Sequence, residues 1–351
     1  METGYLVIGQ GICGTFLSWY LQQQQQRFIV IDNKLPFSPS RVASGVVNPI
    51  TGRILATTWL AETLLPFTGE AYEAMGETLG VQVIKEFEII SFPSTQQMKE
   101  SHEKRIGEYN KYIQPALDNY PQFNYMFGSY NISPVWLVDL HPLLDKWRQK
   151  LIEQDQLYEE DFDLNELKMD ENSIQYKNIT AKKIIFCNGT EAFTYPYWKN
   201  LPFADNKGEA LITDVPGLSS NHIYKFGSLI MVPWYQNLWW TGSSYDREFE
   251  SSAPTEKFRK FAEDQMSGFL KLPFTIKDHI AGIRPANMER RPFVGIHPHF
   301  PSIGILNGMG TKGCSLAPYF ASQLADHLVK GKEIDAEADV QRFRKVLNRE
   351  A

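Results

Sequence analysis

Apolar positions along the 351 residues fall into short strand-like runs separated by longer stretches of helical period. Residues 5–8 form one apolar run, Gly9 to Gly14 make a turn, and 15–25 carry Phe16, Leu17, Tyr20 and Leu21 at helical spacing. The five glutamines at 22–26 read as a solvated helix end, and FIVI at 28–31 is a second strand closed by Asp32. This is strand, turn, helix, strand within about 30 residues. Residues 36–53 predict loop, 60–79 helix, 81–91 strands, 94–114 a polar helix and 119–133 irregular, aromatic chain. Leu140, Leu143, Leu144, Trp147 and Leu151 predict an amphipathic helix over 139–154. Strands follow near 158–164 and 173–179, and 183–187 (KIIFC) is a buried strand running into Asn188 and Gly189.

An antiparallel set rich in Trp and Tyr is expected at 210–214, 222–233 and 238–244, then a helix at 255–269 and a strand at 276–284. Strands at 293–297 and 303–306 lead to a second glycine-rich turn at 308–313 and a helix at 315–329. The α/β signal sits at both ends and around 139–189, with the β-rich signal between. Two interleaved domains explain that order. One comprises 1–80, 138–205 and 286–351, the other 81–137 and 206–285.

Composition narrows the class. Apolar residues make up 43% of the chain, enough for a sizeable core, and the length suits two domains. The net charge of −6 and the lack of a basic run leave no nucleic-acid footprint. Cys13, Cys187 and Cys314 are scattered, which fits a reducing compartment and argues against disulfides or zinc. The seven histidines show no metal spacing. No apolar run approaches the ~20 residues of a membrane span, and the start reads as a strand rather than a signal peptide, so a cytoplasmic protein is expected.

Gly9-Gln10-Gly11-Ile12-Cys13-Gly14 has GxGxxG spacing. Gly9 permits the turn, Gly11 lets backbone approach a pyrophosphate, and Gly14 lets helix pack on strand. The helix N-terminus then offers N–H groups to phosphate. Asp32 lies 18 residues past Gly14, where an acidic side chain binds a ribose hydroxyl. The motif predicts a dinucleotide and by itself leaves FAD and a nicotinamide both open.

The remaining motifs carry a resemblance. They are IIFCNG at 184–189, AGIRP at 281–285 with PFVG at 292–295, and NGMGTKGCSLAP at 307–318. With the first turn and Asp32, in this order, they resemble the D-amino-acid oxidase-like superfamily of FAD oxidoreductases, which includes glycine oxidase and monomeric sarcosine oxidase. The resemblance covers nearly the whole chain. It implies a Rossmann-like FAD-binding domain interleaved with an antiparallel-sheet α+β substrate domain, and FAD held non-covalently.

The resemblance also implies site residues. Gly9, Gly11, Ile12, Cys13, Gly14, Asp32 and Asn33 would face the nucleotide. Ala43, Ser44 and Gly45 would run beside the pyrophosphate and ring, and Gly189 would let a strand end approach. Gly308, Gly310, Thr311 and Lys312 would sit at the flavin's N1–C2=O edge. Arg284 would bind the substrate carboxylate, with Lys312 and Arg53 as further carboxylate contacts. ANMERRP at 286–292 departs from the family pattern, so Arg290 and Arg291 have no family role. Trp234, Tyr235, Trp239, Trp240 and Tyr245 read either as core or as walls of the substrate pocket.

The expected activity is oxidation of a primary or secondary amine, in all expectation an amino acid, by hydride transfer to flavin N5. Dioxygen or an electron carrier would reoxidise the flavin, and no nucleic-acid partner is expected. Three alternatives stay open: a modified tRNA nucleoside as substrate, a flavin-binding protein without turnover, and a nicotinamide dehydrogenase.

Overall fold

Val7 and Val30 point to one side of their strands and Leu6, Ile8, Ile29 and Ile31 to the other, and all are buried. A strand apolar on both faces must be covered on both faces, which is the condition of a parallel sheet. The computed structural model, which describes residues 1–52, 54–109, 111–170 and 173–347, shows that sheet. Glu2–Ile8 lies between Phe28–Ile31 and Ile179–Phe186, parallel to both. Leu157–Tyr158 extends it beyond Phe28–Ile31, in parallel. On its far side Ile179–Phe186 pairs with Ile174–Tyr176 along its first half and with Ile303–Asn307 along its second. Leu167–Met169 and Phe293–Ile296 complete eight strands.

Helix Ile12–Gln23 packs through Phe16, Leu17 and Leu21 against helix Gly313–Lys330, which contributes Leu316, Phe320 and Leu324 to the same core. Tyr72, on helix Ala61–Leu79, stands edge-on to Phe16 and donates from its hydroxyl to the carbonyl of Cys314 at 2.9 Å. The other face is covered by Trp198, Tyr197 and Phe203.

A second sheet has the order Thr275–Arg284, Asn206–Asp214, Trp239–Gly242, Leu229–Pro233, Ile223–Phe226, Ile84–Phe92, Tyr130–Val138, Val46–Val47, with Ile113–Pro115 also on Tyr130–Val138. Its pairs are antiparallel except Ile223–Phe226 with Ile84–Phe92. One face packs Leu211, Met231 and Trp239 under helix Glu256–Phe269. The other carries Ala210, Val232, Trp240 and Ile280 and joins the core shared with the first sheet. The chain visits the sheets alternately, and the result is a Rossmann-like α/β unit interleaved with an antiparallel α+β unit.

Several expected elements are corrected. The expected helix over 94–114 ends at Tyr109, and Ile113–Pro115 is a strand. Tyr112 and Ile113 are buried, so the last segment is taken by the sheet edge rather than by polar helix. The strand Tyr130–Val138 cuts into the stretch expected to be irregular, because alternate residues Tyr130 and Ile132 and then Val135 and Val138 turn inward. The strand expected at 158–164 stops at Tyr158, and Leu164–Glu166 is a 3-10 turn with Asp163 accepting from the Asn165 N–H. Helix Ile12–Gln23 starts three residues earlier than its apolar period suggests, since Gly11 already serves as N-cap.

Candidate active site

The first glycine turn is fixed by close backbone packing. Gly9 has φ +94°, and a β-carbon there would press on the Asn188 backbone at 2.8 Å. A β-carbon on Gly14 would overlap the Gly9 carbonyl. The helix that follows has no side-chain cap at Gly11, so part of its first turn of N–H groups is left for a ligand. Ser40 takes one of them, accepting from the Ile12 N–H at 3.0 Å. Cys13 lies in this turn as a buried thiol whose pKa burial pushes up to about 12, so it packs and does not react.

Asp32 stands at the end of Phe28–Ile31. Its Oδ1 accepts from the Gln10 N–H at 2.8 Å, and its Oδ2 from the Lys34 N–H at 2.8 Å and from Arg148 Nη1 at 2.6 Å. A carboxylate offers about four lone-pair sites, so one on Oδ1 is left without a donor among the described residues and suits a hydroxyl. Asn33, beside it, donates to Asp161 at the sheet edge. Arg148 is 2% exposed and also bonds Glu159 and Gln10 Oε1. Sequence reading missed Arg148, which sits on the buried face of helix Leu140–Glu153 among apolar neighbours. An arginine on an apolar stripe was the available signal.

Ala43, Ser44 and Gly45 follow the short helix Pro39–Val42 and bridge the two sheets. Gly45 has φ +80° and its carbonyl accepts from the Val138 N–H at 3.0 Å. Val42 accepts from Trp240 Nε1 at 3.0 Å, so one of the aromatic cluster pins this loop. Trp239 lies on the opposite face of the sheet, Trp234 and Tyr235 pack with His141, and Tyr245 is 52% exposed.

The second glycine turn starts at the end of Ile303–Asn307. Asn307 donates to the Gly189 carbonyl at 2.8 Å, which ties this strand end to that of Ile179–Phe186. Gly189 has φ +61° and its β-carbon position opens on free space. Gly308 and Gly310 have φ +76° and +55°. Asn287 donates to the Gly308 carbonyl at 3.1 Å, so the divergent ANMERRP stretch buttresses this turn. Arg291 stacks on Trp59 at 4.1 Å and Arg290 is exposed. Helix Gly313–Lys330 then starts at Lys312 with no side-chain cap. Thr311 is exposed beside it.

Lys312 Nζ donates to Asn48 Oδ1 at 3.0 Å. Burial, with the ammonium of Lys225 adding to it, lowers its pKa to about 8. Arg284 ends Thr275–Arg284 opposite Asn206. Its Nη1 donates to Asn206 Oδ1 at 2.8 Å and to the Ser244 carbonyl at 3.2 Å, and its Nη2 to Ser243 Oγ at 2.9 Å. A β-carbon at Gly208 would overlap the guanidinium, so that glycine lets it lie flat on the sheet. Nε–H and one Nη2–H have no protein acceptor among the described residues. Arg53 lies outside the described residues.

Two uncapped helix starts, a first glycine turn with no room for a β-carbon at Gly9 or Gly14, a second with positive φ at Gly308 and Gly310, and one acidic strand end fit FAD. Among the described residues no helix is long and apolar enough to cross a membrane.

Known proteins agree with this geometry. Glycine oxidase from Geobacillus kaustophilus superposes with a TM-score of 0.80 at 17% identity, over 100% of this chain and 99% of that one. Iminodiacetate oxidase from Chelativorans sp. gives 0.77 at 18%, over 95% and 96%. L-proline dehydrogenase from P. horikoshii gives 0.78 at 15%, over 98% and 98%. At these identities the likeness establishes the fold. The family described as FAD dependent oxidoreductase matches residues 5–327. Fold, turns and family match agree, and the chain belongs to the FAD-dependent oxidoreductase family, as an FAD-dependent enzyme.

Proposed function

We propose that this enzyme oxidises a small amine bearing a carboxylate, an amino acid or its N-substituted relative. The observation that carries the reading is Arg284. Three of its five N–H donors are spent on Asn206, Ser243 and Ser244, which lock the guanidinium on the sheet face. The remaining two suit a carboxylate, whose two oxygens match a guanidinium fork. That face is the one turned to the shared core, since Gly282 on the same strand meets Val42 and Pro39 of the bridging loop.

Bound FAD supplies the hydride acceptor. The protein's part is to hold the carboxylate at Arg284 so that the Cα–H is presented in one orientation. The amine must be neutral to lose hydride, and the resulting iminium takes up water to give a carbonyl compound and the free amine or ammonia. Dioxygen or an electron carrier removes the electrons afterwards. The Gly9–Gly14 turn, Asp32, Ala43, Ser44, Gly45 and Gly189 hold the nucleotide in this reading, and Gly308, Gly310 and Thr311 border the ring. The first sheet with its helices is the cofactor unit, and the second sheet is the substrate unit.

The test is anaerobic mixing of the purified holoenzyme with glycine, sarcosine, and D- and L-amino acids while flavin absorbance is followed. Bleaching by one class of compound is expected. A flavin that survives every carboxylated amine and is bleached by an uncharged one would refute the role of Arg284.

A further inference from the structure

Lys225 lies on the same sheet as Arg284, and the sequence motifs do not single it out. It is on Ile223–Phe226, where it pairs with Ile230. Following the register, Ile230 pairs with Gly242, Gly242 with Ala210, and Ala210 with Ile280, four residues before Arg284. Side chains two apart share a face, so Lys225 and Arg284 stand on one face of the sheet, which Ile230, Ala210 and Ile280 join to the shared core. The ammonium of Lys225 reaches the Gly52 carbonyl at 3.4 Å, and that of Lys312 reaches Asn48 Oδ1 at 3.0 Å. Both therefore converge on the one loop from Asn48 to Gly52. Among the described residues neither has a carboxylate within 4 Å, although thirteen side-chain ion pairs are formed elsewhere.

Two ammonium groups on one loop without a counter-ion repel each other and lose hydration. Burial lowers the pKa of Lys225 to about 8, and its charge adds to the cost of the one on Lys312. His102, which also feels Lys225, supplies no compensation. Its Nδ1 faces the Met98 carbonyl at 2.7 Å and its Nε2 faces Ser91 Oγ at 2.9 Å, so the ring is a neutral donor–acceptor. Burial lowers its pKa to about 4. A site built this way is completed by an anion.

Resting on the reading above, we propose that Lys225 and Lys312 together bind a second anionic group of the substrate, so that the enzyme selects amines carrying two anionic groups. One carboxylate sits on Arg284 and the second group on the lysine pair. The scale is suitable. Strands are ~4.8 Å apart, so four steps separate the two strands by roughly 19 Å, and Arg284 starts roughly 13 Å further along its own, an offset its guanidinium largely recovers at Ser243, next to Gly242. The guanidinium of Arg284 folds back over Gly208 to Ser243, across two of those steps. About 10 Å is left. Two charge-assisted hydrogen bonds of about 2.8 Å take up more than half of it, leaving a few covalent bonds between the anionic groups.

The experiment uses the holoenzyme and Lys225→Met. Binding is read without turnover from the flavin difference spectrum, with succinate against butyrate. Reaction is read from anaerobic flavin bleaching, with aspartate, glutamate and phosphoserine against alanine and glutamine. In the parent enzyme succinate should bind at least ~10-fold more tightly than butyrate, the loss of one charge-assisted bond. Lys225→Met should erase that preference while leaving butyrate within about threefold. The acids that bleach fastest tell a carboxylate from a phosphate as the second group. Equal binding of succinate and butyrate in the parent, or equal weakening of both in Lys225→Met, overturns the proposal. If no amine bleaches the flavin but succinate is still preferred through Lys225, the anion site stands and the amine reading fails.

Discussion

Replacing Arg148 by Met keeps most of the buried apolar volume and removes the fork that holds Asp32. Five contacts disappear: Nε and Nη2 to Glu159, Nη1 to Asp32 Oδ2 and to Gln10 Oε1, and Nη2 to the Asp32 carbonyl. The Glu159 contacts count for little, since that carboxylate is 54% exposed and screened by water. Asp32 is 17% exposed and keeps only two backbone donors, and Gln10 Oε1 is left buried without a partner. Breaking a buried pair from one side costs about 3–5 kcal/mol. Unfolding entropy of ~2.1 cal/mol/K per residue over 351 residues is about 0.74 kcal/mol/K. The melting temperature should therefore fall by about 4–7 °C. The same side chain aims the carboxylate that we propose holds the ribose, so the variant should also lose flavin on desalting. Arg148→Lys should not restore it, because one ammonium cannot reach Asp32, Gln10 and Glu159 together. The assay is thermal melting by circular dichroism together with flavin absorbance per protein. A variant within 1 °C of the parent and with full flavin occupancy after desalting would show that Asp32 is held by its two backbone N–H groups alone, and the argument would fall.

Three further outcomes follow from the same geometry. Gly14→Ala should give flavin-free or unfolded protein because its β-carbon has only the Gly9 carbonyl to displace, whereas Gly268→Ala, with nothing within 4 Å, should gain about 0.5–1 kcal/mol in the same melting assay. Burial raises Asp205 from 3.8 to about 6, so the native state is favoured by its proton below pH 3.8 and loses that advantage as pH climbs through about 6. Asp205→Asn should then melt higher than the parent well above pH 6, by about 1–2 kcal/mol after allowing for its partial exposure, and match it in strong acid. Lys312 is protonated below its pKa of about 8, so KM for an amine with two anionic groups should rise as pH passes that value, and Lys312→Arg should flatten the rise. A KM indifferent to pH across that window in the parent would remove Lys312 from binding the second anionic group.

What the sequence made legible was the part governed by local rules. Gly9, Gly11 and Gly14 are spaced by the demands of one turn, and FIVI is buried on both faces because the strands beside it are parallel. Period and turn chemistry reach such features without knowledge of distant chain. The residues that complete the candidate site obey no local rule. Arg148 reaches Asp32 across 116 positions, Asn48 meets Lys312 across 264, and Gly208 is a glycine because Arg284, on the neighbouring strand, lies over it. Each of these depends on strand order, which a single sequence does not specify. Lys225 shows the difference most plainly. In IYKF it is a lysine between buried residues on a short strand, which alone suggests an edge position or a solvated face. The strand is internal to the sheet, between Leu229–Pro233 and Ile84–Phe92. The Lys225 ammonium reaches the Gly52 carbonyl, on the same segment that Lys312 reaches through Asn48. An internal position for a charged side chain is tolerated when something opposite in charge comes to it. Among the described residues the protein offers nothing of that kind, which leaves the substrate to bring it.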